Sequence, residues 1–389
     1  MGSVLIFHAS AGNGHRSVAQ AIAQAMPDNV QTCVADILSF GAPLFRLLYG
    51  KGYEFSAKYM RWFVHGIFSL TDHACGKSRL VELSEAATCA AVQEALSLVL
   101  DNHASVVCCT HFLPVSLMCR LRRKGLYHGS VQACVTDYDV HGFWFDPDVD
   151  LYHVATQEAV ERLADYGVAR DRIRVSGIPV RAEFACAKKV RREHKGLTVL
   201  FMASSLRLGE CRKMLAEMGE CGVPCTVHLV TGRNAALFEQ VQVHPPVVSK
   251  SLTLIPHGLV RDVAALMRRS DLLITKPGGI TVTEGLVQHL PMLLVAPIPM
   301  HEVHNARILQ KAGAGLACFE RGSLARALED MASDPQRLES MREGCASLAR
   351  PNAARDIGAC LALAARQRHV CAPLSQDTQA GPLFMARQG

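Results

Sequence analysis

Apolar residues along this chain fall into two patterns, short continuous runs and longer stretches with helical spacing. Short β-branched and leucine-rich runs bounded by glycine, proline or polar residues are typical of strands buried on both faces of a parallel sheet. Alternation of such strands with helical stretches predicts an α/β protein. The predicted strands are 3–8, 105–109, 130–136, 198–203, 226–230, 252–255, 272–275, 290–296 and 316–319, and the predicted helices are 16–26, 81–100, 115–124, one from 210, 281–288 and a helical region over 324–364.

Glycine-rich turns follow two of the predicted strands. ASAGNGH follows strand 3–8, and Lys276-Pro277-Gly278-Gly279 follows strand 272–275. Glycine permits positive φ and has no Cβ to block a ligand. A helix that starts behind such a turn favours an anion, because its first N–H groups and its dipole point at the turn. The second turn therefore predicts a phosphate site, although a Gly-Gly turn without any ligand is the simpler alternative.

Two further side chains suggest what these turns bind. Glu284 lies one turn into helix 281–288, where a carboxylate would accept hydrogen bonds from sugar hydroxyls, so the combination indicates a nucleotide. His15 lies at the start of helix 16–26, where the helix field disfavours its protonated form and suits a neutral general base. A capping or packing histidine is the alternative interpretation.

Three sequence blocks resemble one known family of enzymes. The block KPGG-x-T-x-x-E, continued by P-x-x-x-x-x-P-x-P-x-x-E-x-x-N, spans 276–305, SAGNGHRSVAQAI begins at Ser10, and VTDYDVHGFWFDPDVDLYHV continues to GIPV at 177–180. They resemble glycosyltransferases that include plant monogalactosyldiacylglycerol synthases and bacterial processive diacylglycerol glucosyltransferases. The resemblance covers most of residues 1–345. Met300-His301 stands where the family has Gly-Gln, which leaves the sugar open.

The resemblance implies a GT-B type fold, in which two Rossmann-like domains face each other across a cleft. We expect an acceptor-binding and membrane-binding domain over 1–185 and a donor-binding domain over 196–345. A C-terminal helix over 346–366 is expected to pack back on the first domain, and 367–389 is predicted to be a disordered tail.

The implied activity is inverting transfer of galactose or glucose from a UDP-sugar to diacylglycerol, with His15 as the base and with no cofactor or metal. A polyprenyl-linked muropeptide N-acetylglucosaminyltransferase, a UDP-sugar sensor without turnover and epimerase-like chemistry are the alternatives. The Asp137-x-Asp139 pair also permits a metal-binding interpretation. The implied donor residues are Gly232, Arg233, Gly258, Leu259, Val260, Lys276, Gly278, Gly279, Thr281, Glu284, His301, Glu302 and Asn305, and the implied acceptor residues are Gly12, Asn13, Gly14, His111, Asp137, His141 and Trp144.

The amino-acid composition limits which cellular compartment and which binding partners are expected. The 389 residues are 49% apolar and 20% charged, which is typical of globular domains, and the net charge of +6 is too modest and too dispersed for a nucleic-acid binder. The 15 cysteines lack the paired spacing of a zinc site and predict reduced core thiols in a cytosolic protein. The expected partners are a UDP-hexose, diacylglycerol and an anionic membrane surface, without nucleic acid.

Membrane contact is predicted from residues 40–70, which contain nine of the 23 aromatic residues (2 Trp, 7 Tyr, 14 Phe). Their helical spacing places most aromatic side chains on one side and Lys and Arg on the other, as in a helix that docks on anionic lipid. A core helix with an aromatic stripe is the alternative. We expect no signal peptide, because MGSVLIFHAS lacks a basic region, and no membrane span. The predicted location is cytoplasmic, at the inner face of the cell membrane.

Overall fold

The computed structural model describes residues 2–10, 14–40, 89–185, 196–243, 250–297 and 301–371, which form two parallel six-stranded sheets. The strands are β1 Ser3–His8, β2 Gln31–Asp36, β3 Val106–Cys109, β4 Ser130–Cys134, β5 Leu151–Val154 and β6 Ile173–Val175 in the first sheet, and β7 Leu197–Met202, β8 Cys225–Val230, β9 Leu252–His257, β10 Leu272–Thr275, β11 Met292–Leu294 and β12 Gly315–Ala317 in the second. The helices are α1 Gly14–Gln24, α2 Cys89–Asp101, α3 Phe112–Arg123, α4 Gln157–Asp165, α5 Ala182–Ala185, α6 Leu208–Glu220, α7 Ala235–Val243, α8 Val263–Arg268, α9 Gly279–Val287, α10 His301–Lys311, α11 Ser323–Ser333, α12 Pro335–Leu348 and α13 Ala353–Cys371.

Both sheets have a doubly wound strand order. The first runs β2-β1-β3-β4-β5-β6 and the second β12-β11-β10-β7-β8-β9, and the strand pairs are parallel throughout. When β7 is counted as strand 1, the second sheet has the Rossmann strand order 3-2-1-4-5-6. The first sheet has the flavodoxin order 2-1-3-4-5 with one more strand, β6, at its edge. The predicted α/β fold with two Rossmann-like domains is therefore confirmed.

Strand β1 shows why these runs fold as parallel strands. Val4 and Ile6 face the helix layer that contains α13, while Leu5 and Phe7 face the layer of α2 and α3, and all four are fully buried. A strand covered by helices on both faces needs apolar residues at every position, which gives a continuous apolar run. The long last helix, α13, packs on α1 and across β1 and β3 of the first sheet.

Each sheet has a point where the strand order reverses, between β1 and β3 in the first and between β7 and β10 in the second. The loops that leave the carboxyl ends of two such strands run to opposite faces of the sheet and open a crevice between them. Helix α1 starts at Gly14 beside the first crevice, and α9 starts at Gly279 beside the second. Helices α1 and α9 therefore start where a doubly wound fold binds its ligands.

Several predicted boundaries were wrong for local reasons. The helix expected from Val115 begins at Phe112, because His111 accepts a hydrogen bond from the Leu113 N–H and Pro114 lies in the first turn, where a missing N–H costs little. The strand expected over 290–296 is confined to Met292–Leu294. The helices predicted over 324–364 are confirmed and are three in number, α11 to α13, of which α12 starts with Pro335 as its first residue. The aromatic segment lies, apart from Phe40, outside the described residues, as do 372–389.

The cysteines of the described residues are free thiols, and most of them are buried. Burial raises the pKa of Cys108 to about 12. Such a thiol stays protonated at neutral pH and behaves as a small apolar side chain rather than as a nucleophile.

Replacement of Gly344 tests the packing of α12. A Cβ at this position would lie 2.5 Å from the backbone oxygen of Ala312, so Gly344→Ala should lower the free energy of unfolding by about 1–3 kcal/mol. Gly209 in α6 has open space around it, so Gly209→Ala should be neutral or stabilise by up to about 1 kcal/mol. Urea unfolding curves measure both, and equal effects would contradict the packing described for α12.

Candidate active site

The imidazole of His15 is fixed by two neighbouring strands of the first sheet. Its Nδ1 lies 2.7 Å from the carbonyl oxygen of Thr110, which follows β3, and 3.1 Å from the hydroxyl of Thr136, which follows β4. A carbonyl oxygen can only accept, so Nδ1 carries the hydrogen and, in the neutral ring, the lone pair is on Nε2. The Thr110 hydroxyl also donates to the His15 carbonyl at 3.0 Å and holds the first turn of α1.

Two more histidines surround this ring. The rings of His111 and His15 lie edge to face with centroids 4.6 Å apart, and His8 at the end of β1 is buried. Burial lowers the pKa of both His111 and His8, and repulsion from His15 adds to the effect on His111. Both neighbours are thus neutral at physiological pH. His111, predicted as an acceptor residue, is almost fully buried and packs against the His15 ring.

The other predicted acceptor residues have different surroundings. Trp144 is buried in the core of the first domain, edge to face with the ring of Phe112, so its side chain offers little surface to an acceptor. His141 is half-buried and accepts a hydrogen bond from the Phe143 N–H at 3.2 Å. Gly12 and Asn13 lie outside the described residues.

The two domains meet at the start of α9. A Cβ at Gly279 would lie 2.0 Å from the Thr136 carbonyl oxygen, and one at Gly14 would lie 2.9 Å from Ile280 Cγ1. Glycine is therefore required at both positions for this close approach. Gly279 is covered by the first domain, whereas Gly278 and Thr281 are half-buried. A ligand of α9 would approach through these two residues.

Glu284 lies one turn further into α9 and is 8% exposed. Burial raises its pKa to about 8, with Arg181 acting against the shift and Glu183 adding to it. Its carboxyl group makes no hydrogen bond with the described residues. A buried carboxyl group without a partner is costly, and sugar hydroxyls would supply the missing donors.

Helix α10 contributes a carboxylate and an amide. Glu302 Oε1 would lie 3.6 Å from a Cβ at Gly278, so it faces the turn before α9. Asn305 is fully buried and joins the domains. Its Oδ1 accepts a hydrogen bond from the Tyr138 N–H at 3.0 Å, and its Nδ2 donates to the Asp137 carboxylate at 3.2 Å. Within its own domain, Nδ2 also donates to the Pro277 carbonyl oxygen at 3.0 Å. The backbone of His301 begins α10.

The remaining predicted donor residues follow other strands of the second sheet. Lys276 follows β10 and is half-buried. The loop with Gly232 and Arg233 follows β8, and 258–260 follows β9, at the same edge but two and three strands away from β10. Gly232 has a φ of +58°, and Leu259 is 70% exposed. The structure thus brings Lys276, Gly278, Thr281, Glu284 and Glu302 together and places these two loops further along the edge.

The acidic residues after β4 are held by protein donors. Asp137 accepts from Asn305, and Asp139 accepts from Arg162 and His304. Asp146, Asp148 and Asp150 form ion pairs with Arg122 and Arg123 at the other end of the strands, so these cations do not face the cleft. The described residues contain no group of three or more His, Cys, Asp or Glu side chains arranged to hold a metal ion.

Sequence reasoning missed the residues that position the site. Thr110 and Thr136 hold the His15 ring, and Tyr138, Asp139, Thr283 and His304 connect the domains. The available signal was a threonine at or just after the end of each of two buried strands, β3 and β4, which are neighbours in the first sheet. The cross-domain contacts carried no signal, because they depend on how the two domains approach each other.

Two family models match successive parts of the chain. Residues 15–180 match monogalactosyldiacylglycerol (MGDG) synthase, and residues 209–357 match the glycosyltransferase family 28 C-terminal domain. Together the two models cover most of the chain, and they confirm its predicted resemblance to the family of monogalactosyldiacylglycerol synthases and processive diacylglycerol glucosyltransferases.

Whole-chain comparisons agree with this assignment. The chain is 26% identical over 377 residues to the processive diacylglycerol beta-glucosyltransferase of Bacillus cytotoxicus, covering 91% of this chain and 92% of that one. It is 26% identical over 369 residues to the enzyme of the same name from Bacillus pumilus, covering 89% and 90%.

Solved structures share the fold. Acinetobacter baumannii MurG has a TM-score of 0.62 at 15% identity and covers 93% of this chain and 100% of its own. The complex of Staphylococcus aureus MnaA with UDP has a TM-score of 0.60 at 13% identity and covers 92% and 95%. These likenesses confirm the GT-B fold. In the part of the chain that the structure describes, no helix has both the length and the apolar character to cross a bilayer.

Glu284→Gln tests the buried carboxyl group. Its pKa rises from about 4.5 to about 8 on folding, so protonated Glu284 contributes stability that is full below about pH 4.5 and is lost as the pH rises towards 8. The glutamine variant does not titrate. Relative to the wild type, it should gain on the order of 2–4 kcal/mol of unfolding free energy between pH 5 and pH 8.5, measured by urea denaturation. A difference that does not change with pH would contradict the burial of this group.

Proposed function

We propose that the chain is an inverting glycosyltransferase that moves a hexose from a UDP-sugar to diacylglycerol. The hydrogen bond from His15 Nδ1 to the Thr110 carbonyl carries the proposal, because it leaves Nε2 as the basic nitrogen. Helix α1, which holds this base, touches α9 of the other domain through Gly14 and Ile280. The relatives, named as diacylglycerol glucosyltransferases, support glucose as the first sugar to test.

The reaction would be a single displacement. The acceptor hydroxyl gives its proton to Nε2 of His15 while its oxygen attacks the anomeric carbon of the sugar. The bond from that carbon to the diphosphate oxygen breaks, its electron pair leaves with UDP, and the configuration is inverted. General base catalysis of this kind contributes about 10²- to 10⁴-fold.

The second domain would hold the donor. Glu284 would accept hydrogen bonds from the ribose hydroxyls, and Gly278 and Thr281 would present the start of α9 to the diphosphate. Lys276 follows β10 and Arg207 follows β7, the two strands that flank the crevice of the second sheet. These cations would stabilise the charge of the departing diphosphate. Glu302 and His301 would face the sugar.

The acceptor would reach His15 from the first domain. Phe112 and Phe143 are half-buried beside His111, with their rings stacked at 5.3 Å, and offer apolar surface for a glycerolipid. We propose that the protein meets an anionic membrane from this domain, at the inner face of the cell membrane. The aromatic segment within 41–88, which would make that contact, lies outside the described residues.

Hexose transfer by the wild type and by His15→Ala, measured side by side, tests the proposed function. With radiolabelled UDP-glucose and vesicles of diacylglycerol and anionic phospholipid, the wild type should form a glycolipid visible by thin-layer chromatography. His15→Ala should lose about 10²- to 10⁴-fold in kcat and bind UDP nearly as well as the wild type. Exposed His128 lies at the opposite end of the strands, so His128→Ala should match the wild type.

The donor and acceptor arms of this assay separate the alternatives. UDP-galactose and UDP-N-acetylglucosamine replace UDP-glucose as donors, and a polyprenyl-linked muropeptide replaces diacylglycerol. UDP-sugar binding without transfer to any lipid would contradict the proposed enzyme, and so would normal turnover by His15→Ala.

The pH dependence of donor binding tests the role of Glu284. Burial raises its pKa to about 8, and only the carboxylate form can accept one ribose hydrogen bond at each of its two oxygens without also carrying an O–H donor. The affinity for UDP-glucose, whose diphosphate does not titrate in this range, should rise from about pH 6 to about pH 8 and then level off. Isothermal titration should give a weaker, pH-independent affinity for Glu284→Gln. A wild-type affinity that is equally flat would refute the ribose contact.

A further inference from the structure

Residues 136–139, here called the β4 loop, insert between two helices of the second domain. Tyr138 is 3% exposed and packs in a core shared by both domains. Its hydroxyl lies 2.9 Å from Thr283 Oγ1 in α9, and its N–H donates to Asn305 Oδ1 in α10 at 3.0 Å. Thr283 in turn donates to the Gly279 carbonyl at 2.6 Å. The β4 loop is therefore fastened to the first turns of α9 and α10.

The same loop also holds the proposed base. Thr136, its first residue, lies 3.1 Å from His15 Nδ1 through its hydroxyl, and its carbonyl oxygen packs on Gly279. A shift of α10 away from the β4 loop would change the distance between His15 and a sugar held by the second domain. Catalysis by positioning depends steeply on such distances.

A charged hydrogen bond connects this loop to α10. Asp139 is held within its own domain by Arg162, and His304 reaches it from the second domain, with Nδ1 2.6 Å from Oδ2. Burial opposes ionisation of Asp139, but the His304 hydrogen bond and the Arg162 charge outweigh burial and lower its pKa. Because a carboxylate only accepts, Nδ1 of His304 is the donor, and hydrogen bonds to ionised groups are the stronger kind.

An ion pair between α10 and α4 provides a contrast. Lys311 in α10 lies 3.0 Å from Glu158 in α4, but these side chains are 76% and 52% exposed. For His304 and Asp139 the values are 44% and 16%. Exposed ion pairs are screened by water and salt and contribute little. The His304–Asp139 bond is thus the better shielded of the two.

We propose that His304 and Asp139 are positioning residues that hold the first turn of α10 against the β4 loop and so set the distance between His15 and the donor sugar. His304 acts through its neighbours: it lies between Glu302, which faces the turn before α9, and Asn305, which joins the domains. This role rests on the proposed function, whereas the link between the domains does not.

His304→Ala tests the link directly. The variant leaves Asp139 paired with Arg162 and with the Val140 N–H, so no buried charge loses all of its partners. The Tyr138 amide, which donates across the interface, reports opening through hydrogen–deuterium exchange. Exchange in a peptide that covers 136–140 should become severalfold faster in His304→Ala, while peptides from β1 and β7 stay unchanged. His304→Lys, which keeps a side-chain N–H donor, should restore much of the protection, and Lys311→Ala should match the wild type.

Steady-state kinetics test the positioning role. His304→Ala should lower kcat about three- to tenfold and leave the Kd for UDP-glucose unchanged, because donor contacts within the second domain remain. Asp139→Asn should have a similar effect, and the double variant should be no worse than the single variants.

Three results would overturn the inference. The first is hydrogen–deuterium exchange of the 136–140 peptide that is as slow in His304→Ala as in the wild type. The second is faster exchange throughout both domains. The third is a loss of kcat in the double variant that equals the sum of the two single losses, expressed as free energies. If the wild type transfers no hexose, the proposed function fails while the exchange experiment still decides whether His304 and Asp139 link the domains.

Discussion

The hydrogen bond between His15 Nδ1 and the Thr110 carbonyl is the constraint on which the site depends. It exists because β1 and β3 are parallel neighbours, so the residues that follow them meet at one edge of the sheet. A backbone oxygen cannot rotate away as a side chain can, and it selects a single tautomer. The fold itself therefore sets which nitrogen of His15 carries the hydrogen in the neutral ring.

Closure of the cleft depends on small residues and short polar contacts. Gly14 and Gly279 have no Cβ, and this lets α1 and the β4 loop approach α9 closely. Tyr138, Asn305 and the bond between Asp139 and His304 then hold the two domains in register. In this arrangement Gly279 is covered, so the proposed donor would have Gly278, Thr281 and Glu284 available. Gly279 at the start of α9 thus serves contact between the domains, whereas the proposed role of Gly278 is access for a ligand.

Much of the fold was predictable from local pattern. Strands β1 and β10 are as predicted, because an apolar run between turn residues has few alternatives in a sheet covered on both faces. The short strands β5 and β6 were not predicted, because three or four residues give too little periodicity. Among site residues, His15 and Glu284 stood out through their position at helix starts. The burial of Asn305 and the roles of Tyr138 and His304 were not predictable, because they arise between domains and not within one.

The most direct test of the central claim is a crystal structure of the full chain with bound UDP-glucose. The account predicts the ribose on Glu284, the diphosphate beside Gly278 and Thr281, and the anomeric carbon within about 4 Å of an acceptor oxygen that contacts His15 Nε2. In that structure His15 Nδ1 should still donate to the Thr110 carbonyl. UDP-glucose bound away from α9, or a His15 ring turned so that Nε2 points at Thr110, would contradict it.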